Sequence, residues 1–352
     1  MPFYFLDKNL AFASAPLERF RSLQWSVRWF EAGSFALEGG EDLFKAWSGG
    51  AEYIWNESRK ELGVIEKVTY EKGKCALSGR MAEALLERRV ITAETVLSGS
   101  VQESVRALMA SYAANLPHYG GFLENSAVTE TADSVIKSGA NLYEEITAVL
   151  KGLGMSVRAE FDGDAEKGIR FGLKKGLDRT QEQDVNGWAI FSQSFENITG
   201  LRYEMSEKSY KNVMILSATY DKDQTVTVRA DAREAEEDAR EVASSVSLDK
   251  GEMTLQAFTE ALKGKAAEML AEYRRTETID GTVVGAANIR LGEDYNVGDW
   301  VDVAINEIGL AQAAQVVGAD IVLEGGTELV YPLLGSDRMD LKKILRREIS
   351  RT

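Results

Sequence analysis

From residue 63 to residue 91 the sequence GVIEKVTYEKGKCALSGRMAEALLERRVI alternates apolar and polar positions and then changes period. Val64, Glu66 and Val68 fall on one face of a pleated strand and Ile65, Lys67 and Thr69 on the other, the period of two that a strand imposes. Glu71-Lys72-Gly73-Lys74 supplies a polar turn with a glycine where φ can turn positive. Cys75 to Ser78 begin the return strand, so a β-hairpin is predicted. Gly79-Arg80 ends it in this reading. Met81, Leu85 and Leu86 then recur at helical spacing up to Arg88-Arg89, cations suited to a helix C-terminus, and a third strand starts at Val90 and Ile91.

The same alternation recurs through most of the chain. Residues 4–6 read as a short strand. Residues 23–30 (LQWSVRWF) place Trp25, Val27 and Trp29 on one face before Ala32-Gly33-Ser34 turns the chain into a return strand at 35–38. Residues 51–56 make another strand. Helical spacing takes over at 98–115, where Ser98 or Ser100 can cap a helix carrying Val101, Val105, Leu108, Met109 and Tyr112, ended by Pro117. Asn141 can cap a second helix closed by Gly152 and Gly154, and residues 155–161 and 168–173 read as a hairpin. Strands follow at 188–194 and 201–205, then a hairpin over 213–229 turned at Asp221-Lys222-Asp223-Gln224.

Residues 253–273 carry the best helical stripe, Leu255, Phe258, Leu262, Met269 and Tyr273. Gly264 in its middle costs roughly 1 kcal/mol relative to alanine, so close packing is expected to retain it. From Ile279 the chain is β again, at 283–284, 289–291, 300–305, 315–323 and 328–333, with Gly325-Gly326 at the last turn.

Composition narrows the class. The 352 residues are 44% hydrophobic and 28% charged, as in a globular protein with room for two or three domains. The N-terminal stretch MPFYFLDKNLAFASAPL has neither a basic start nor an unbroken apolar run, so no signal peptide or membrane anchor is expected. A net charge of −15 argues against nucleic-acid binding, which needs clustered Lys and Arg. The run DAREAEEDARE at 231–241 mixes both signs and reads as a solvated connector rather than an acidic binding tail.

Candidate chemistry is sparse. Cys75 is the one cysteine and sits in a strand, which favours a buried structural thiol over a nucleophile. His118 is the one histidine, beside Pro117 in a loop, and is read as solvent-exposed; any triad or multi-histidine metal site would have to pass through it. Asp162-Gly163-Asp164-Ala165-Glu166-Lys167-Gly168 starts like a calcium loop, but an EF-hand needs glycine sixth and glutamate twelfth, where Lys167 and Leu173 stand. A hairpin turn accounts for it better, with a surface calcium left open. Carboxylates are too numerous, at 56, for a glycosidase pair to be read from spacing. Gly152-Leu153-Gly154 lacks what a dinucleotide site requires, and neither a nucleophile elbow nor a Walker loop is present. No catalytic, cofactor-binding or metal-ligating residue and no cofactor are assigned, and an enzyme is not expected.

Several of these stretches also carry a resemblance. IEKVTYEKGK, LSGR and LLERRVI within 65–91 are followed in order by Gly176-Leu177-Asp178-Arg179-Thr180, by Ile190-Phe191-Ser192 with Asn197, by Tyr210-Lys211-Asn212-Val213, and by Val297-Gly298-Asp299-Trp300-Val301. Together they resemble the gp-thirty-seven-like tail proteins of siphophages and prophages over nearly the whole chain. The resemblance implies a structural tail-tip or baseplate hub, similar to trimeric hub proteins, with no catalytic residues. For Gly176 to Thr180 an ion pair of Asp178 or Arg179 that pins a loop is the plainest reading.

The expected fold is α+β and β-rich, with two small β-barrel-like domains and α/β insertions. The divisions are 1–98 for the first barrel-like domain, 99–180 for an α/β insert, 181–232 for further strands, 233–278 for a charged connector and helix, 279–335 for the second barrel-like domain, and 336–352 for a basic tail that could dock on a neighbour. The function that the resemblance implies is a virion tail hub, assembled in the host cytoplasm as a ring, most simply a homotrimer, whose acid-rich wall would repel phosphates and let DNA pass without sticking. Its partners would be the tail tube or distal tail protein and the tip or spike. A carbohydrate-gripping receptor protein using some of Trp25, Trp29, Trp47, Trp55, Trp188 and Trp300 is the alternative, and a cell-wall-degrading tail enzyme is a more remote one.

Overall fold

Strand pairing decides the architecture. The computed structural model describes residues 2–335 except 18, 133, 222–223, 252, 271–272, 274 and 284–287. The 336–352 tail and its docking therefore lie outside the described residues, as does the tip of the hairpin turn at Lys222-Asp223. The chain forms two compact units: one holds Met1–Arg202 with the chain from Ile279, the other Tyr203–Thr278.

The larger unit begins with β1 (Phe3–Asp7), β2 (Ser22–Arg28), β3 (Ser34–Gly39), the short helix α1 (Glu41–Ser48), β4 (Ala51–Asn56), β5 (Glu61–Glu71) and β6 (Lys74–Met81). An inserted region follows, with β7 (Thr95–Leu97), α2 (Val101–Tyr112), β8 (Tyr119–Leu123), β9 (Ser134–Ile136), α3 (Leu142–Gly152), β10 (Met155–Glu160) and β11 (Ile169–Lys175). Then come β12 (Ile190–Ser192) and β13 (Ile198–Ser206), within which the chain passes to the smaller unit. That unit contains β14 (Val213–Asp221), β15 (Gln224–Asp231), β16 (Glu241–Ser245) and α4 (Leu255–Leu270), and the chain returns within β17 (Thr276–Val283). The strands β18 (Trp300–Ile305), β19 (Leu310–Glu324) and β20 (Thr327–Gly335) complete it.

The fold is α+β and β-rich, dominated by one mixed twelve-stranded sheet ordered β1-β4-β5-β6-β3-β2-β19-β20-β17-β13, with β18 on β19 and β12 on β18. This corrects the expectation of two separate barrels. β2 and β19 pair from Ser22↔Glu324 to Arg28↔Gly318, joining the N-terminal and C-terminal strands, and no pairing among the described residues closes either half into a barrel. Burial explains the junction: Trp25 sits opposite Ile321 and both are wholly buried, so separating the sheets would expose them.

The 63–91 stretch folds as the predicted hairpin, with two differences. β6 continues through Gly79-Arg80 to Met81 instead of stopping. A Cβ on Gly79 would run into the Val64 carbonyl, so that glycine permits close strand approach rather than ending the strand. A bulge between Ile65 and Lys67 shifts the register there, and the predicted helix is a 3-10 helix, Ala82–Arg88. The third strand does not form; Val90 makes only an isolated bridge to Asn141. Nor do residues 289–291 form a strand, with Leu291 making only a bridge to Tyr295.

The inserted helices match their sequence signals. Ser100 caps α2 by accepting from the Glu103 amide, and Asn141 caps α3 by accepting from Tyr143 and Glu144. Val101, Val105, Leu108 and Met109 are buried, and they share one core with Trp55 and Val64 of the sheet, Ile146 of α3 and Phe171 of β11. In the smaller unit α4 buries Phe258, Leu262, Ala266 and Leu270 against Met214, Leu216 and Ala218 of β14 and Val228 of β15. Leu255, expected on that face, is 41% exposed. Gly264 has open space where a Cβ would stand, which overturns the close-packing explanation for it.

Candidate functional site

Two of the sequence motifs that lie more than a hundred residues apart meet in the larger unit. Residues 177–179 run parallel to Trp300: the Trp300 amide donates to the Leu177 carbonyl at 2.9 Å and the Arg179 amide to the Trp300 carbonyl at 2.8 Å. Asp299 stands at the centre, 3% exposed. One carboxylate oxygen accepts from the Leu177 amide at 2.8 Å; the other accepts from Arg179 Nε at 2.8 Å and from the Asn296 amide at 2.9 Å. The ion pair expected for this loop is therefore Arg179 with Asp299. Asp178 instead accepts from the Thr180 amide and hydroxyl, turning the chain locally.

Glycines make this approach possible. A Cβ on Gly176 would strike the Gly298 carbonyl, and one on Gly298, at φ +106, would enter the Trp29 ring. Gln315 of β19 donates to the Gly298 carbonyl at 3.0 Å, tying the knot to the main sheet. The next motif extends it: Ala189 accepts from the Asp302 amide, β12 pairs in parallel with β18, and buried Asn197 bridges the Ser192 amide and the Ile190 carbonyl. A buried ion pair with every oxygen satisfied fixes geometry more than it adds stability.

The fourth motif forms a separate knot in the smaller unit. Asn212, 1% exposed, accepts from the Arg240 amide at 2.7 Å and donates to the Asp238 carbonyl at 2.8 Å. Tyr210 lies between Arg240 and Arg275, at 5.3 and 4.8 Å from its ring centre, and donates its hydroxyl to Glu237. That hydrogen bond holds the Glu237 carboxyl below its ordinary range. The 231–241 run is thus exposed for most of its length, as expected of a solvated connector, yet it is anchored at Asn212 and Tyr210.

The single residues of catalytic interest resolve as follows. Cys75 is buried and free, with its thiol pushed up by desolvation, as expected of a structural cysteine. His118 is half-buried rather than freely exposed: it takes a positive φ, its ring contacts the Lys8 carbonyl, and it meets Tyr53 edge-on. Asp162 and Asp164 accept backbone amides within a turn, and Lys167 and Arg170 neutralise Asp162. Among the described residues no group of three or more His, Cys, Asp or Glu side chains could hold a metal ion.

Sequence reasoning missed a second cluster. A cavity of about 460 Å³ in the larger unit is lined by Arg59, Glu61, Glu83, Arg158 and Lys174 among others. Glu83, whose side chain is 6% exposed, lies 3.6 Å from Arg158 and accepts from the Ala159 amide; burial raises its pKa against the opposing pull of Arg158. No local signal could have found it, because its members come from four separated segments.

This fold is that of phage tail proteins solved by crystallography. The chain is similar to a tail protein from Neisseria meningitidis MC58 at 16% identity, covering 92% of this chain and 94% of that one, with a TM-score of 0.60. It is likewise similar to the 43 kDa tail protein of prophage MuSo2 from Shewanella oneidensis at 12% identity, covering 97% and 100% with a TM-score of 0.62. A third is prophage tail protein gp18 from Listeria monocytogenes EGD-e at 11% identity, covering 99% of both chains with a TM-score of 0.58. By sequence, residues 2–336 match the family described as Siphovirus ReqiPepy6 Gp37-like protein, and the chain belongs to that family. No curated protein matches it.

Proposed function

We propose that the protein is a structural component of a phage-type tail, acting as a hub that forms a ring between the tail tube and the tail tip or spike. The observation that carries this reading is family membership over residues 2–336, together with a fold shared along nearly its whole length with three tail proteins. The motifs support a mechanical role: those at 176–180, 210–213 and 297–301 form closed knots of backbone and side-chain hydrogen bonds that hold loops. Rigid loops of this kind suit a part that must keep its shape under load.

A homotrimer is the simplest ring, and such a ring needs heterologous contacts that close by rotation, each burying over about 1,000 Å². The net charge of −15 suits a lumen through which DNA passes without adhering. Negative-stain imaging of purified protein tests the ring, and a cationic lumen in a ring reconstruction would overturn the passage argument.

The carbohydrate-binding alternative loses half of its candidates, since Trp25, Trp29 and Trp55 are 4% exposed or less. Trp188, at 53%, is the remaining strong one, and a glycan-array signal abolished by Trp188→Ala would favour that reading.

A further inference from the structure

The cavity in the larger unit combines apolar Val27, Trp29, Leu62 and Met81 with charged groups, most of which already have partners. Arg158 pairs with Glu83, Lys174 with Glu160 at 2.6 Å, and Lys175 with Glu130 at 2.6 Å. Arg59 differs. It binds Glu61 through Nε alone, at 3.0 Å to both oxygens, and Glu61 is fixed from behind by the Trp25 indole at 2.7 Å. A guanidinium carries five N–H donors, and four of them sit on its terminal nitrogens. Among the described residues those nitrogens make no hydrogen bond; Nη1 passes 3.6 Å from where a Cβ on Gly292 would stand.

A second observation lies beside it. Tyr295 falls in the loop between the lining residues Gly292 and Asn296, is wholly buried, and meets Phe191 edge-on. Its hydroxyl has no hydrogen-bond partner among the described residues. Tyr295 does not itself line the cavity, so Arg59 is the unsatisfied donor that the cavity offers.

We propose that this cavity binds a carboxylate carried on an apolar body, with the terminal nitrogens of Arg59 as its donors. The planar fork of an arginine matches the two oxygens of a carboxylate, while a tetrahedral dianion would add more negative charge beside Glu61 and Glu83. The apolar part of the lining takes the body of the ligand. Such a group is offered equally by the chain end of a neighbouring polypeptide and by a free organic acid. The site sits within one unit of one chain and is independent of ring formation.

Isothermal titration of the full-length protein with N-acetyl-leucine and with N-acetyl-leucinamide tests this, because the two probes differ only in the carboxylate. The acid is expected to bind saturably and the amide not, and Arg59→Gln is expected to weaken the acid by about tenfold or more. Should R59Q fail to fold, Arg59→Lys, which keeps the charge but loses the fork, is expected to weaken the acid several-fold, and a folded R59K that binds unchanged would overturn the proposal equally. Acid and amide behaving alike, or a folded R59Q binding unchanged, would overturn the proposal. A leucine-ending tetrapeptide with a free carboxylate distinguishes the sources: tighter binding than N-acetyl-leucine assigns the site to a chain end, and equal or weaker binding assigns it to a free acid.

Discussion

Asp299 shows most clearly what single residues do here. With the carboxylate buried and holding Arg179 and two amides, removing one partner leaves the other uncompensated, which typically costs about 3–5 kcal/mol. Arg179→Ala is therefore expected to lower the unfolding free energy measured by urea denaturation by an amount of that order, while Asp178→Ala, which breaks only a local turn, costs less; equal effects would refute the assignment. Gly264 predicts the opposite sign. Its missing Cβ faces open space in the middle of α4, so Gly264→Ala should stabilise the protein by about 1 kcal/mol in thermal unfolding. Glu83 makes a pH statement. Because burial raises its folded pKa above the unfolded value of about 4.3, its contribution is fully present below that value and is lost as pH rises through the folded pKa. The stability of Glu83→Gln relative to wild type should accordingly improve as pH is raised from about 4 toward neutrality, seen as a narrowing gap in Tm. A gap that widens would show Arg158 dominating the pair.

At the scale of elements, periodicity carried far. The hairpins at β2–β3, β5–β6, β14–β15 and β19–β20 and the capped helices α2 and α3 were legible because their signals are local: alternation, a turn glycine, a cap side chain. What failed was nonlocal. Gly79 looked like a breaker because sequence cannot show a carbonyl from the neighbouring strand pressing on its Cα, and Val90 looked like a strand although only Asn141 is there to pair with it. Sheet order was invisible for the same reason, since nothing near Trp25 announces that Ile321 is its partner. The Asp299 knot was half legible: both of its motifs were singled out, but not that they meet. Gly298 concentrates this logic, with a positive φ and the Trp29 ring where a side chain would go. Gly298→Val should destabilise more than Gly309→Val, which shares a positive φ (+66) but has open space for the side chain, so that the difference in thermal unfolding reports the clash with Trp29.

At the scale of the whole molecule, membership of the family over residues 2–336 makes the chain a phage tail protein. The knots hold their loops in place through buried Asp299 and Asn212. The measurement that tests the hub reading most directly is negative-stain imaging of the purified protein over a concentration series. Threefold rings with a central hole, growing in number with concentration, are the predicted result. Monomeric particles at every concentration would contradict it.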